Sequence, residues 1–381
     1  MERRQRFIVI GLITMLFNSL YQYSWNALEP LFRSGFQVSL VQVEVAFTLF
    51  TIFSTGFQTV GGHFADKQGP RKIGIISAIF AAVGFLGTSF STSIYEFYVW
   101  WSLGSVGEGI LYGIASNLAV KWYADRRGLA TGLVSLGFGV GASAINPLIE
   151  TFSSFREPTL LIGISEIIAV PILMWFAEYP KKQNPGRTPS ELLKTWGWWS
   201  LYLSFVMAAV PLTVMSSSLA YLAKDFSPEY LALLISVFPF MSGVSRPIIG
   251  HLSDKIGRAK SVAMTDLMMF LGSVLLLVGF LPISAVIIGF FGGSTITLYF
   301  SLVGDLFGSK FSTSNNAILY TGKAVAGVLG GVVFSYLFLV SHLGSFIYVS
   351  VSSIAGLLFL IVSVKAVRSE NKKKGNSFVI S

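Results

Sequence analysis

Gly62-His63-Phe64-Ala65-Asp66-Lys67-Gln68-Gly69-Pro70-Arg71-Lys72 returns 188 residues later as Gly250-His251-Leu252-Ser253-Asp254-Lys255-Ile256-Gly257-Arg258-Ala259-Lys260. The glycines, the histidine, the aspartate and both lysines stay in register. The offset is close to half of the 381 residues, so the chain is internally duplicated. Glycine permits a tight turn and close helix approach. Aspartate can cap the following helix and pair with a nearby arginine. A single copy would read as ordinary loop punctuation, but two copies in register do not.

Outward from each copy the sequence turns apolar. The chain is 53% hydrophobic and 12% charged, against about a quarter charged in a soluble domain. Stretches 7–27, 73–90 and 343–364 are each near the roughly 20 residues that a helix needs to cross a bilayer. The alternating pattern of a transmembrane barrel is absent. The expected fold is an all-α membrane protein with twelve transmembrane helices near 7–30, 40–62, 72–90, 94–120, 127–151, 158–179, 197–223, 229–252, 259–281, 284–306, 311–340 and 343–367. Residues 1–180 form an N-terminal six-helix bundle, 181–195 a linker, 196–367 a C-terminal six-helix bundle and 368–381 a tail. The first apolar stretch reads as a span and not as a cleaved signal. Zero cysteines exclude disulfides and thiolate sites, and three scattered histidines give no metal spacing. No metal or cofactor is expected.

The net charge of +9 has to be read by position. Of 27 Lys and Arg, 22 fall at the N-terminus, in the even-to-odd connections and in the tail, while Arg33, Arg156 and Lys224 fall on the other side. The positive-inside rule therefore puts both termini in the cytoplasm. The basic balance is topology, with some affinity for the lipid bilayer, and needs no nucleic-acid partner. Two cations remain within predicted spans, Arg246 and Lys323.

Both copies of the repeated loop resemble the signature loop of the major facilitator superfamily. That resemblance implies two pseudo-symmetric bundles and makes Gly62, Asp66, Gly69, Arg71, Gly250, Asp254, Gly257 and Arg258 conformational-switch positions outside the substrate site. Four further segments are similar to the oxalate:formate antiporter family. They are Gln22-Tyr23-Ser24-Trp25, the run 122–132 (WYADRRGLATG), Ser245-Arg246-Pro247, and Asp305-Leu306-Phe307-Gly308 with Lys323. Members of that family carry small carboxylates. The resemblance implies that Arg246 and Lys323 bind substrate, together with Gln22, Tyr112 and Tyr320.

The residues argue the same way without the family. Arg246 lies eight residues before Asp254, about 12 Å along a helix, and Lys323 lies thirteen beyond Lys310, about 19 Å. A mid-bilayer cation costs about 2.5–3.5 kcal/mol, so both should face the protein interior and meet an anion. A permanent internal salt bridge is the plain alternative. A carboxylate substrate fits better, with Arg as a fork and Lys as a movable charge.

Several positions depart from the oxalate carriers. Their bulky helix-10 aromatics are Gly292 and Ile296, their outer helix-2 glutamine is Glu44, and mid-helix 4 carries Glu108. Glu108 is one turn from Tyr112 and shares its helix face. Three roles stay open for it: a proton-coupling site, a fixed counter-charge, or a bond to a neighbouring helix. The first two favour a monocarboxylate (lactate, pyruvate, acetate or formate) in a widened pocket, moved with H⁺ or by anion exchange.

The expected protein is thus no enzyme. It is a secondary transporter working by alternating access in a prokaryotic plasma membrane, acting as a monomer. The alternatives are an oxalate/formate-type dicarboxylate antiporter, a non-transporting carboxylate receptor, and a proton-linked exporter of apolar cations, which the two cavity cations would repel. Glu166 and Asp266 read as structural. Gly137-x-Gly139-x-Gly141 follows no strand and reads as helix packing, not as a nucleotide loop.

Overall fold

A computed structural model describes residues 4–149, 151–181, 185–223 and 225–373. Arg3, Lys182, Lys224 and Lys374, four of the cations that orient the chain, lie outside these residues, as does the side chain of Glu44. The described chain is almost wholly helical and folds as two compact units.

The first unit comprises Met1–Tyr123 and Leu133–Gln183. It holds α1 (Gln5–Gln22), α2 (Trp25–Phe36), α3 (Leu40–Gln68), α4 (Pro70–Phe90), α5 (Ile94–Trp122), most of α6 (Arg127–Ile149), and α7 (Arg156–Trp175). The second comprises Ala124–Gly132 and Asn184–Ser381. It holds the first turns of α6, α8 (Pro189–Leu192), α9 (Trp196–Leu222), α10 (Pro228–Ile256), α11 (Arg258–Leu277) and α12 (Leu281–Phe307). There follow α13 (Ser312–Val328), a π-helical turn (Leu329–Val333), α14 (Phe334–Val340) and α15 (His342–Lys373).

Among the described residues, eight helical stretches are long and apolar enough to cross a membrane, with α13, the π turn and α14 counted together. A ninth forms when α1 and α2 are taken as one span bent by 46°. Three further long helices, α3, α5 and α10, are each 29 residues long. That is about 44 Å of helix, more than the ~30 Å hydrocarbon core requires. Their apolar character is broken by Gln58, Glu108 and Arg246.

The bend in the first span falls at Tyr23-Ser24, within the quoted Gln22–Trp25 segment, where the sequence alone reads one continuous helix. The span over 311–340 is likewise interrupted, by the π turn that carries Gly330 and Gly331.

The duplicated loops repeat one backbone device. Each is a reversal between two helices on a glycine with positive φ, Gly69 (φ 87°) and Gly257 (φ 93°). A Cβ at Gly69 would meet no atom within 4 Å, so backbone geometry and not space demands glycine there. Pro70 follows at the first turn of α4, where its missing N–H costs nothing.

In the first unit α4 packs on α5 and α7, and α3 on α5. A buried aromatic cluster of Tyr21, Trp25, Phe32, Phe85, Phe97 and Trp101 fills the spaces between them. A Cβ at Gly137 or Gly141 would strike the main chain of α1 at Leu12 and Leu16, so this glycine run does serve close helix packing. In the second unit α9 packs on α15, and α12 on α10 and α11.

Candidate functional site

The candidate residues divide between the units. In the first, Tyr112 of α5 is buried, and Phe138 of α6 stands edge-on both to its ring (5.2 Å) and to Tyr23 (5.3 Å). Gln22, the last residue of α1, is half-buried beside the helix break. Glu108 lies one turn before Tyr112 and is only 1% exposed. Ser54 Oγ of α3 donates to its Oε2 at 2.6 Å, and Asn18 Nδ2 of α1 donates to its main-chain carbonyl at 3.1 Å. Glu108 is therefore held from two neighbouring helices.

In the second unit, Arg246 of α10 is 1% exposed and donates from Nε to the Ser242 carbonyl at 3.2 Å. That bond leaves the two terminal nitrogens of the guanidinium fork to face other groups. On α13, Lys323 Nζ donates to Tyr320 Oη at 2.9 Å and lies 5.0 Å from the centre of its ring. Tyr320 is buried and edge-on to Phe300 at 5.7 Å. The helical three-residue spacing of 320 and 323 is what brings hydroxyl and ammonium together. A tyrosine that holds a lysine in this way keeps the charge while removing side-chain freedom.

The expectation of room at Gly292 does not hold. A Cβ there would meet Leu212 of α9 and Met269 of α11 at 3.0 Å, so the position faces helix packing within the second unit. Ile296 is buried as well. The loss of aromatic bulk at 292 is taken up by neighbouring side chains.

The two repeated loops use their aspartates differently. Asp66 pairs with Lys121 at 3.0 Å, and both side chains are essentially inaccessible (3% and 0%). Arg71, the nearby arginine, instead lies over the Trp175 ring at 5.7 Å. Asp254 pairs with Arg258 and also accepts from the main-chain N–H groups of Gly128 (3.0 Å) and Leu129 (2.8 Å). It thus caps the start of α6 and not the helix that follows it. Arg258 Nε lies 3.3 Å from Asp305, which also pairs with Arg127. These bonds explain why 124–132 groups with the second unit.

Comparison with known proteins follows from this geometry. The sequence profile described as Major Facilitator Superfamily matches residues 7–209 and 201–380. The chain belongs to the Major Facilitator Superfamily. It is accordingly a multi-pass membrane transporter and not an enzyme. A Thermoproteus tenax protein described as an uncharacterized 38 kDa protein in a 23S RNA operon is 40% identical over 94% of this chain and 96% of its own length. The oxalate:formate antiporter of Oxalobacter formigenes is 29% identical over 85% of this chain and 82% of its own. The solved fucose:proton symporter of E. coli superposes with a TM-score of 0.73 at 13% identity, covering 93% of this chain and 98% of that one. At that identity it speaks for the superfamily fold alone.

Ser54, Phe138, Ser242 and Phe300 were not singled out in the sequence. Phe138 had a signal, since it sits inside the Gly137–Gly141 run that brings α6 onto α1. The serines had none, because small hydroxyls are common along transmembrane helices and only the fold tells which of them meets a charge.

Proposed function

We propose that the protein carries small carboxylates across a prokaryotic plasma membrane by alternating access, both termini being cytoplasmic. The observation that carries this reading is the two cations on the second unit's helices, one buried and one half-buried. Arg246 is 1% exposed at mid-helix, and Lys323 is held by Tyr320 one turn away on α13. Two such charges in a membrane interior call for an anion. A planar carboxylate matches the fork of Arg246 and the point charge of Lys323. The similarity to the oxalate:formate antiporter supports a small-carboxylate cargo.

Glu108 favours a monocarboxylate such as lactate, pyruvate, acetate or formate. As a buried carboxyl on the other unit it either supplies a fixed negative charge or carries the proton of an H⁺ symport. Gln22 and Tyr112 of the first unit are further candidate substrate-binding residues, on the resemblance to the oxalate:formate antiporter family. Gly292 gives no argument for a larger pocket, so the monoanion reading rests on Glu108 alone. A dicarboxylate antiporter of the oxalate type is the second reading, favoured by the two cations taken by themselves.

Thermal unfolding of the purified protein with oxalate, formate, acetate, lactate, pyruvate and malonate tests the proposal. A ligand at 100 times its Kd adds about 2.7 kcal/mol of stability, enough for a clear rise in Tm. Stabilisation by monocarboxylates above oxalate and malonate is expected. Stabilisation by the dianions alone would select the second reading, and none by any carboxylate would remove both.

A further inference from the structure

Asp266 of α11 has no part in the reading above. It is 0% exposed, and its Oδ1 has no hydrogen-bond partner among the described residues. Its Oδ2 lies 3.4 Å from Tyr299 Oη of α12. Tyr299 Oη in turn stands 2.5 Å from Ser204 Oγ of α9, and Ser204 Oγ donates to the Gly356 carbonyl of α15 at 2.8 Å. Both hydroxyl residues are as deeply buried as the carboxyl. One unbroken line of polar contacts thus crosses four helices of the second unit. Asp266, Tyr299 and Ser204 each sit eight residues inside a helix end, at Arg258, Phe307 and Trp196, or about 12 Å along the helix.

The proton count along this line fixes the state of its carboxyl. A hydroxyl has one proton to give and a carbonyl has none. Ser204 gives its proton to Gly356, so the proton in the 2.5 Å contact comes from Tyr299. Nothing is then left on Tyr299 for Asp266, and the proton between these two belongs to the carboxyl. The lengths agree. An ionised carboxylate draws an O–H donor in to about 2.5–2.7 Å, whereas this line is tight at the carbonyl end and open at Asp266.

No cation neutralises the carboxyl instead. On the elements packed against α11, the charged and titratable groups are Tyr202 on α9 and Glu229, Tyr230, Arg246, His251, Asp254 and Lys255 on α10. Asp305 on α12 and His342, Tyr348, Lys365, Arg368 and Glu370 on α15 follow, with Arg258 and Lys260 on α11 itself. The side chains of Tyr221, Lys372 and Lys373 are not among those described. All but Arg246 stand within about two turns of a helix end. Arg246 donates to the Ser242 carbonyl, and no ion pair joins it or any other described residue to Asp266.

We propose that Asp266 is a proton-binding site of the second unit, and that Tyr299 and Ser204 are the relay through which its proton leaves and returns. With the proton bound, each oxygen donates toward Gly356. In release, Ser204 passes its hydroxyl proton outward and takes that of Tyr299, while Tyr299 takes that of Asp266. One proton has left, both hydroxyls are intact, and the line runs the other way. Ser204 now donates to Tyr299, and Tyr299 to the ionised carboxylate. The Gly356 carbonyl loses its side-chain donor, so the contact between α9 and α15 registers the proton. Ser200 is next along this route. It lies one turn before Ser204 on α9, is buried, and has a hydroxyl without a partner among the described residues. The site is separate from Glu108 and does not rest on the carrier reading, since proton binding is measured without substrate.

Infrared difference spectroscopy of the full-length protein in detergent tests this, with pH stepped and no carboxylate ligand added. Labelling with ¹³C-aspartate marks the aspartyl C=O bands of the wild type, so that detection needs no variant to fold, and Asp266→Asn assigns the band. Wild type is expected to show a protonated aspartyl band at neutral pH that disappears reversibly as pH rises, and Asp266→Asn to lack it. Tyr299→Phe removes the hydroxyl that meets the ionised carboxylate, so release should move to higher pH. Ser204→Ala removes the acceptor of the Tyr299 proton and leaves that proton to Asp266, so release should move to lower pH. Shifts in the same direction, or none, would overturn the relay. A labelled wild type without a protonated aspartyl band, or with one that persists at every pH at which the protein stays folded, would overturn the site.

Discussion

Arg246, Lys323 and Tyr320 divide the work of holding an anion by their chemistry. Arg246 is fixed through Nε, so its fork has a set direction, whereas Lys323 is steadied by a hydroxyl and a ring. Arg246→Lys keeps the charge and loses the fork. A charged hydrogen bond is worth about 1.5–3 kcal/mol, so carboxylate affinity should fall about 10- to 100-fold. Tyr320→Phe keeps the ring and removes a hydroxyl bond, and its loss should be smaller, about 0.5–1.5 kcal/mol or two- to tenfold. Isothermal titration against the best ligand of the thermal panel checks both. Equal losses would mean that the guanidinium geometry is not used. Both cations stood out in the sequence because charge is costly in an apolar run. Tyr320, by contrast, came only from the family resemblance, since its role depends on the lysine one turn away.

At the scale of helices, α3, α5 and α10 are the informative ones. They are among the longest helices in the chain, and they carry Gln58, Glu108 and Arg246 within their apolar runs. The loops at the ends of α3 and α10 were legible as a repeat, but not in what their aspartates contact. Sequence spacing offered Arg71 to Asp66, while the fold delivers Lys121 from the end of α5, 55 residues away in the chain. Removing one partner of such a buried pair is expected to cost about 3–5 kcal/mol, while replacing both by apolar residues should be close to neutral. Asp66→Leu and Lys121→Met, singly and together, form the cycle. Denaturation midpoints in detergent should drop for each single variant and recover in the double. Additive losses would assign the stability to something other than the pair.

For the whole molecule, duplication and span count were open to reading because bilayer thickness constrains a sequence directly. Pocket width was not. Whether Gly292 opens a cavity or fills a helix contact depends on Leu212 and Met269, which come from other helices, and no local pattern reports them. On the carrier reading proposed above, the charge of Arg246 is required in every cycle, whether a small carboxylate moves with H⁺ or in exchange for another. Counterflow in proteoliposomes preloaded with unlabelled substrate measures this most directly. Wild type should concentrate labelled monocarboxylate transiently, and Arg246→Ala, verified as folded by its unfolding transition without ligand, should show none. Undiminished counterflow in Arg246→Ala, or none by wild type with any carboxylate of the panel, would contradict the account.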